Sequence, residues 1–153
     1  MLVDQVANKL TAVSTLLEDT SVEAYGDLSS SAVAALLTIQ RNSTVSIGGI
    51  ATEVRLSHSA TVRLIDRLEK DWLVRRQRRR GREVMVELTA RGKRRASDLA
   101  KSRWDTATAL LKEIDEKDLE RLDAVFQSIL EKAENSTCMR YCFTDMEPVA
   151  EPA

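Results

Sequence analysis

Residues 46–71, with the sequence SIGGIATEVRLSHSATVRLIDRLEKD, decide the fold because they contain two short helices separated by a tight turn. The pattern predicts a first helix over 47–54 and breaks immediately before Ser57. The Ser57 hydroxyl can accept a hydrogen bond from a free N–H group at the start of a second helix, which is predicted from 58 to about 71. Two short helices joined by such a turn form a helix-turn-helix.

The second helix of this motif has an apolar side and a basic side. At about 100° per residue, the apolar side collects Val62, Ile65 and Leu68, with Thr61 at its edge. The opposite side collects three cations and two small residues: Arg63, Arg67, Lys70, Ser59 and Ala60. We expect the apolar side to face the core and the basic side to face outward.

After residue 71 the spacing of apolar residues changes from a helical period to an alternating one, which predicts a β-hairpin directly after the second helix. Apolar and polar residues alternate there, as in half-buried strands, on either side of a tip that contains Gly81. Four arginines surround this tip: Arg78, Arg79, Arg80 and Arg82. A hairpin arginine suits the minor groove of DNA, where a narrow groove concentrates negative potential.

Charge is distributed unevenly along the chain. The net charge of the whole chain is −1, but residues 55–95 contain 14 Lys and Arg against 5 Asp and Glu, a net charge of +9. The remaining residues therefore carry −10. A basic segment inside an acidic frame is typical of a surface that binds a polyanion, and a solvated charged face is the alternative interpretation.

Amphipathic helices are predicted on both sides of this basic segment. They cover 3–19, a helix capped by Ser29 or Ser30 that ends near 41, a helix capped by Thr89 that ends near 114, and a last helix capped by Asp115. The helices at the two ends of the chain carry apolar stripes that a compact central unit cannot cover, so we predict a symmetric dimer, with packing inside one chain as the alternative. The predicted interface residues are Val6, Leu10, Leu17, Leu119, Leu122, Phe126 and Ile129.

Composition indicates a soluble and mainly helical protein. The 153 residues include 43% hydrophobic and 31% charged residues, enough for one domain with a hydrophobic core, and only 5 Gly and 2 Pro. The longest apolar run, 32–39 with Thr38 inside it, is far shorter than the roughly 20 residues of a membrane helix, and no signal-peptide pattern is visible. We therefore expect a cytoplasmic protein without membrane contact.

The segment 28–92 resembles the MarR family of winged-helix transcriptional regulators. The resemblance rests on the order and spacing of Leu28-Ser29, Ile50-Ala51, the run 56–69, Leu73-Val74-Arg75-Arg76, Gly81-Arg82-Glu83-Val84 and Leu88-Thr89-Ala90-Arg91-Gly92. It implies a mainly α fold with a small β-hairpin, a winged helix-turn-helix with N- and C-terminal dimerisation helices. It further implies a homodimeric regulator, most simply a repressor, on an inverted-repeat operator in double-stranded DNA.

This resemblance implies a single domain over 1–135, with a DNA-binding lobe over 28–92 and dimerisation helices over 1–20 and 93–135. The tail, 136–153, is expected to be partly disordered. The resemblance leaves open whether a small-molecule effector or a redox signal releases the DNA. Candidate liners of an effector pocket are Trp72, Trp104 and Phe126.

Three departures from the family pattern concern the wing, which is the β-hairpin predicted directly after residue 71. Trp72 stands where the family prefers glycine, so the turn must avoid a positive φ or accept strain. Arg80 replaces an acid that would pair with Arg82, and the wing is slightly shorter than usual. These departures predict a more electrostatic and more salt-sensitive grip on DNA.

Ten residues are predicted to contact DNA: Ser57, His58, Ser59, Thr61, Arg63, Arg67, Arg78, Arg79, Arg80 and Arg82. Arg63 is the candidate for a bidentate contact with guanine, and the resemblance implies that Arg82 enters the minor groove. Arg67 and Lys70 are expected to touch phosphate or to pair with neighbouring acids. If about six cations neutralise phosphates, the logarithm of affinity falls with the logarithm of salt concentration at a slope of roughly −5.

Other functional classes fit the sequence less well. Ser57, His58 and Asp66 have the residue types of a hydrolase triad, but adjacent residues on a helix diverge by about 100° and no glycine-rich elbow surrounds them, so no enzyme is predicted. A winged helix that binds protein without specific DNA binding is the alternative, but it would favour an acidic or apolar recognition face.

No cofactor or metal site is predicted. Cys138 and Cys142 supply too few ligands for a four-ligand zinc site, and the only histidine, His58, belongs to the predicted recognition helix. Reduced unpaired thiols, a redox pair and a metal site shared between subunits are the interpretations open to these two cysteines.

Overall fold

The computed structural model describes residues 1–78 and 81–134. In chain order its elements are α1 (Leu2–Val22), a 3₁₀ turn (Glu23–Tyr25), α2 (Ser30–Asn42), β1 (Thr44–Ser46), α3 (Ile47–Val54), α4 (His58–Lys70), β2 (Val74–Arg78), β3 (Val84–Leu88), α5 (Ala90–Leu111) and α6 (Glu116–Glu134). The predicted fold class, a mainly α winged helix-turn-helix with a small β element, is confirmed. Arg79, Arg80, Cys138, Cys142 and the predicted tail lie outside the described residues.

The predicted caps mark the starts of four helices. The hydroxyls of Ser29, Ser57 and Thr89 each accept a hydrogen bond from the N–H three residues later, at 3.1, 3.2 and 3.0 Å. A carboxylate oxygen of Asp115 does the same at 2.9 Å. Each side chain satisfies a donor that has no partner inside its own helix, and the helices therefore begin where the sequence predicts.

The sheet contains a third strand that the sequence pattern did not reveal. The strand order is β1-β3-β2, so the central strand β3 pairs antiparallel with both neighbours. Val86 of β3 lies opposite Val45 of β1 and Arg76 of β2. Because β1 has only three residues, all half-buried, no alternation of polar and apolar residues could identify it.

The hydrophobic core lies where α2, α3, α4, the sheet and the first half of α5 meet. Its largest fully buried side chains are Leu36, Ile39, Ile50, Ile65, Leu68, Leu99, Val33, Val74, Val86 and Thr61. The helices α1 and α6 contribute no hydrophobic side chain to this core. The core therefore belongs to the central lobe and fixes the orientation of α4 within it.

The base of the wing is joined to α5 by a close backbone approach. The N–H of Thr89 donates to the carbonyl oxygen of Leu73 at 3.1 Å, and the Thr89 hydroxyl donates to the carbonyl oxygen of Trp72 at 2.5 Å. A Cβ atom on Gly92 would lie 1.9 Å from the Leu73 oxygen, so this position requires glycine. The contact holds the start of the wing against the first turn of α5.

The N-terminal helix is attached to the lobe through α5. Nη2 of Arg95 donates to the carbonyl oxygens of Ala24 and Tyr25, at 3.2 and 2.8 Å, at the end of the 3₁₀ turn. The Tyr25 side chain is buried beside this contact. None of the helices within 1–78 and 81–134 combines the length and the hydropathy needed to cross a membrane.

Candidate nucleic-acid interface

One face of α4 is polar and open to solvent because the other face is anchored in the core. Ile65 and Leu68 are fully buried on the inner face. The outer face carries five exposed side chains: His58, Ser59, Arg63, Arg67 and Lys70. The three cations among them form no ion pair within the described residues. Unpaired guanidinium groups on a packed helix keep their donors available for an anionic ligand.

The N-terminal end of α4 offers three adjacent polar side chains. Ser57, His58 and Ser59 are all exposed, and the Oγ atoms of the two serines lie 3.3 Å apart. In a helix-turn-helix this end of the second helix is the one that reaches base edges. The exposure of the three residues fits the role predicted for them from the sequence.

Thr61 has to be withdrawn from the predicted contacts. Its side chain is fully buried, and its hydroxyl donates to the backbone oxygen of Ser57 at 2.9 Å. A buried hydroxyl that is already bonded to the preceding turn cannot reach a base edge. The prediction is wrong because Thr61 lies at the edge of the apolar side of α4, and the folded lobe buries this edge.

Arg76 of β2 connects the wing to α4. Its Nη2 atom donates to Oδ1 of Asp66 at 2.5 Å, and its Nη1 atom donates to Oε2 of Glu69 at 3.0 Å. Burial lowers the pKa of the Arg76 guanidinium, but the hydrogen bonds and charges of the two carboxylates outweigh that effect and raise the pKa. Because these acids engage Arg76, they leave Arg67 and Lys70 without an acidic partner among the described residues.

Of the wing residues predicted to contact DNA, Arg82 is the one whose side chain the structure describes. Arg82 is exposed directly after Gly81, which has a φ of +109°. Arg75, which the sequence did not single out, pairs with Glu87 on the opposite strand. The Arg78 side chain lies outside the described part of the chain, although its backbone ends β2.

Two large residues adopt left-handed backbone conformations at the two ends of α4. Arg55 precedes the helix with a φ of +55°, and Trp72 follows it with a φ of +61°. The N–H groups of Trp72 and Leu73 donate to the carbonyl oxygens of Glu69 and Leu68 at 3.0 and 2.9 Å. Helices commonly end in this pattern with glycine at the position that Trp72 occupies. Of the two outcomes predicted for Trp72, the structure shows the positive φ.

The sequence did not predict the left-handed turn at Arg55 or the contacts of Arg76. No local spacing joins Arg76 to Asp66, since the contact runs between a strand and a helix that meet only in the folded lobe. For Arg55, its position in the sequence could have indicated the left-handed conformation. It occupies the turn of the helix-turn-helix, where a left-handed residue is needed and glycine is the usual solution.

The candidate effector liners do not share one cleft. Trp72 borders a cleft between α4 and β2, together with Lys70, Val74 and Thr89. Trp104 on α5 is half exposed, and Phe126 on α6 is 43% exposed. Neither of these two residues lines the cleft beside Trp72.

The terminal helices leave apolar surface open. α6 makes only sparse contacts with the rest of the described chain, and exposed hydrophobic side chains run along α1. The predicted interface residues are all exposed or half-buried in the single chain: Val6, Leu10, Leu17, Leu119, Leu122, Phe126 and Ile129. Large exposed apolar faces of this kind are typical of protein contact surfaces.

The chain resembles known proteins in the sequence of its central lobe and in its overall fold. A model of the MarR family matches residues 26–83. A MarR-family protein from Bacillus stearothermophilus is 18% identical with a TM-score of 0.80, covering 87% of this chain and 96% of its own. MepR, a transcription regulator of the Staphylococcus aureus multidrug efflux pump MepA, is 15% identical with a TM-score of 0.67, covering 82% and 96%. MarR from E. coli is 18% identical with a TM-score of 0.67, covering 81% and 96%. No curated protein sequence matches the chain.

Proposed function

We propose that the chain, whose residues 26–83 match a model of the MarR family, belongs to this family of winged-helix proteins and is a sequence-specific transcriptional regulator, a repressor that binds an inverted-repeat operator as a homodimer. One observation carries the proposal. Arg63 and Arg67 stand exposed on the outer face of α4 with no acidic partner among the described residues. A helix with such a face fits the major groove, whereas a protein-binding winged helix has no need to keep two guanidinium groups unpaired.

In this proposal α4 reads the bases and the wing grips the DNA beside it. Arg63 donates to N7 and O6 of a guanine, the commonest base-specific contact, while the exposed serines at the start of α4 contact neighbouring groups. Arg67 lies one turn further along α4 and contacts phosphate. Arg82 enters the adjacent minor groove, where its charge meets the most negative potential.

The proposed dimer buries the apolar faces that the single chain leaves open. Val6 and Leu10 on α1 and Phe126 and Ile129 on α6 are each about half exposed. A second copy related by two-fold symmetry covers them with the same residues and closes the assembly. Two recognition helices then bind half-sites about 10 base pairs apart, so the operator is an inverted repeat.

Selection of bound sites from random duplex DNA tests the proposal. At about 150 mM salt most nonspecific affinity is suppressed, so enrichment reports base recognition. We expect one enriched motif made of two inverted half-sites. Recovery of duplexes without any common motif would contradict sequence-specific regulation, and recovery of a single half-site would contradict the dimer.

A further inference from the structure

Arg55 occupies a backbone conformation that suits glycine better than arginine. It ends α3 in the turn of the helix-turn-helix, with φ and ψ of 55° and 42°. The N–H of Leu56 donates to the carbonyl oxygen of Ala51 at 3.1 Å, so the geometry of the turn is fixed by backbone hydrogen bonds. A side chain in this region is strained, and glycine avoids the strain because it has no Cβ. The arginine therefore carries a cost in stability.

No contact of the Arg55 side chain among the described residues offsets the cost of its backbone strain. The side chain is exposed and forms neither a hydrogen bond nor an ion pair within 1–78 and 81–134. A cation at the end of a helix interacts favourably with the last carbonyl groups, but this effect is small at an exposed site and is screened by salt. A cation that gains little inside the fold is free to serve a ligand.

The position of Arg55 specifies which ligand it meets. It lies two residues before Ser57, the N-cap of α4, and so at the end of α4 that carries His58 and Ser59. In helix-turn-helix complexes this end of the second helix enters the major groove while the first helix crosses the sugar-phosphate backbone. The turn between them therefore passes beside phosphates.

We propose that Arg55 is a phosphate-binding residue, and that the strained turn is retained because its guanidinium contributes to DNA affinity. The proposal rests on the DNA-binding function proposed above and adds a contact that carries no base preference. It assigns opposite effects to one residue, since Arg55 weakens the fold and strengthens the complex. A purely structural residue cannot have this pair of effects.

The variants Arg55→Gly and Arg55→Lys separate the two effects. Arg55→Gly relieves the strain and should raise Tm by about 3 °C. The same change should weaken binding to a selected operator duplex roughly fivefold to tenfold and should reduce the salt slope by about 0.9, the value for one lost phosphate contact. Arg55→Lys keeps the charge and the strain, so it should retain the wild-type salt slope and Tm.

Two further variants serve as controls. Ser43→Gly relieves a positive φ at the end of α2 without removing a cation, and it should raise Tm with no change in salt slope. Lys112→Gln removes an exposed cation at the far end of α5, and it should alter neither quantity. The base preference of Arg55→Gly, measured by selection, should match that of the wild type.

The outcomes distinguish this proposal from the function on which it rests. If wild-type protein binds no duplex, the proposed function fails and the role of Arg55 fails with it. If wild-type protein binds its operator and Arg55→Gly binds with the same affinity and salt slope, the role of Arg55 alone is overturned. A lower affinity that Arg55→Lys does not restore would likewise overturn it.

Discussion

Nη2 of Arg76, on the first strand of the wing, donates a hydrogen bond to Oδ1 of Asp66, on α4, over a distance of 2.5 Å. The same guanidinium reaches Glu69 one turn further along the helix, at 3.0 Å. A planar guanidinium with donors fixed in a fork can hold two carboxylates in one geometry. This contact joins the two elements that are proposed to enter adjacent grooves.

Removing the Arg76 link should weaken DNA binding more than it weakens the fold. Arg76→Met should lower the free energy of unfolding by only about 1 kcal/mol, because both acids are half exposed. Affinity for the operator should fall more than tenfold, since one link between the wing and α4 is lost and the two carboxylates, left without their cation, repel the DNA phosphates. Arg75→Met removes a neighbouring wing charge that pairs within the wing with Glu87, and equal losses of affinity in both variants would contradict the positioning role.

Gly92 should tolerate no side chain. The Cβ of Gly92→Ala would lie 1.9 Å from the carbonyl oxygen of Leu73, so the backbone of the wing or of α5 must move, and we expect a loss of about 3 kcal/mol. Gly48→Ala is the matched control, because the nearest atom to its Cβ is 4.0 Å away. Helix propensity should raise the free energy of unfolding of this second variant by about 0.5 kcal/mol. Urea denaturation that ranks the two variants equally would contradict the close approach.

Trp72→Gly should stabilise the protein. The residue has a φ of +61° and is 74% exposed, so glycine removes strain and little buried surface is lost. We expect the free energy of unfolding to rise by about 1 kcal/mol. Trp72→Ala removes the indole but keeps a Cβ in the left-handed conformation, and it should show no such gain. A similar rise in both variants would assign the effect to the indole.

The dimer should depend on the open face of α6. Replacing Phe126 and Ile129 together with glutamate places charges in the proposed interface and should halve the mass measured by sedimentation equilibrium. Ala124→Glu adds a charge on the opposite side of α6 and should leave the mass unchanged. An unchanged mass in the double variant would locate the interface elsewhere.

Local signals in the sequence predict where the helices start. The sequence does not predict contacts between segments that are distant along the chain. Ser29, Ser57 and Thr89 cap helices through hydrogen bonds to the N–H group three residues later. Both partners of each bond lie within one short stretch of sequence, so a local pattern can predict the cap. The strand β1 exists because β3 pairs with it, and Arg76 acquires its role because β2 packs beside α4. These relationships depend on the assembled lobe.

Thr61 shows where the candidate site could not be predicted. A helical wheel places it at the boundary between the two sides of α4, and only the tertiary packing of the lobe decides on which side of that boundary it falls. Arg63 and Arg67 lie well inside the basic side, so their exposure followed from spacing alone. The exposure predicted for residues at the centre of the basic side is therefore confirmed, whereas Thr61, at the edge, is buried.

In the proposed complex, Arg63 on α4 reads a base while Arg82 on the wing supports affinity. The most direct test repeats the random-duplex selection at about 150 mM salt with wild type, Arg63→Ala and Arg82→Ala. Arg63→Ala should lose about 1 to 3 kcal/mol of discrimination at one position of each half-site, while Arg82→Ala should bind all sequences more weakly with the same preferences. An Arg63→Ala profile identical to the wild-type profile at every position would show that Arg63 does not read a base.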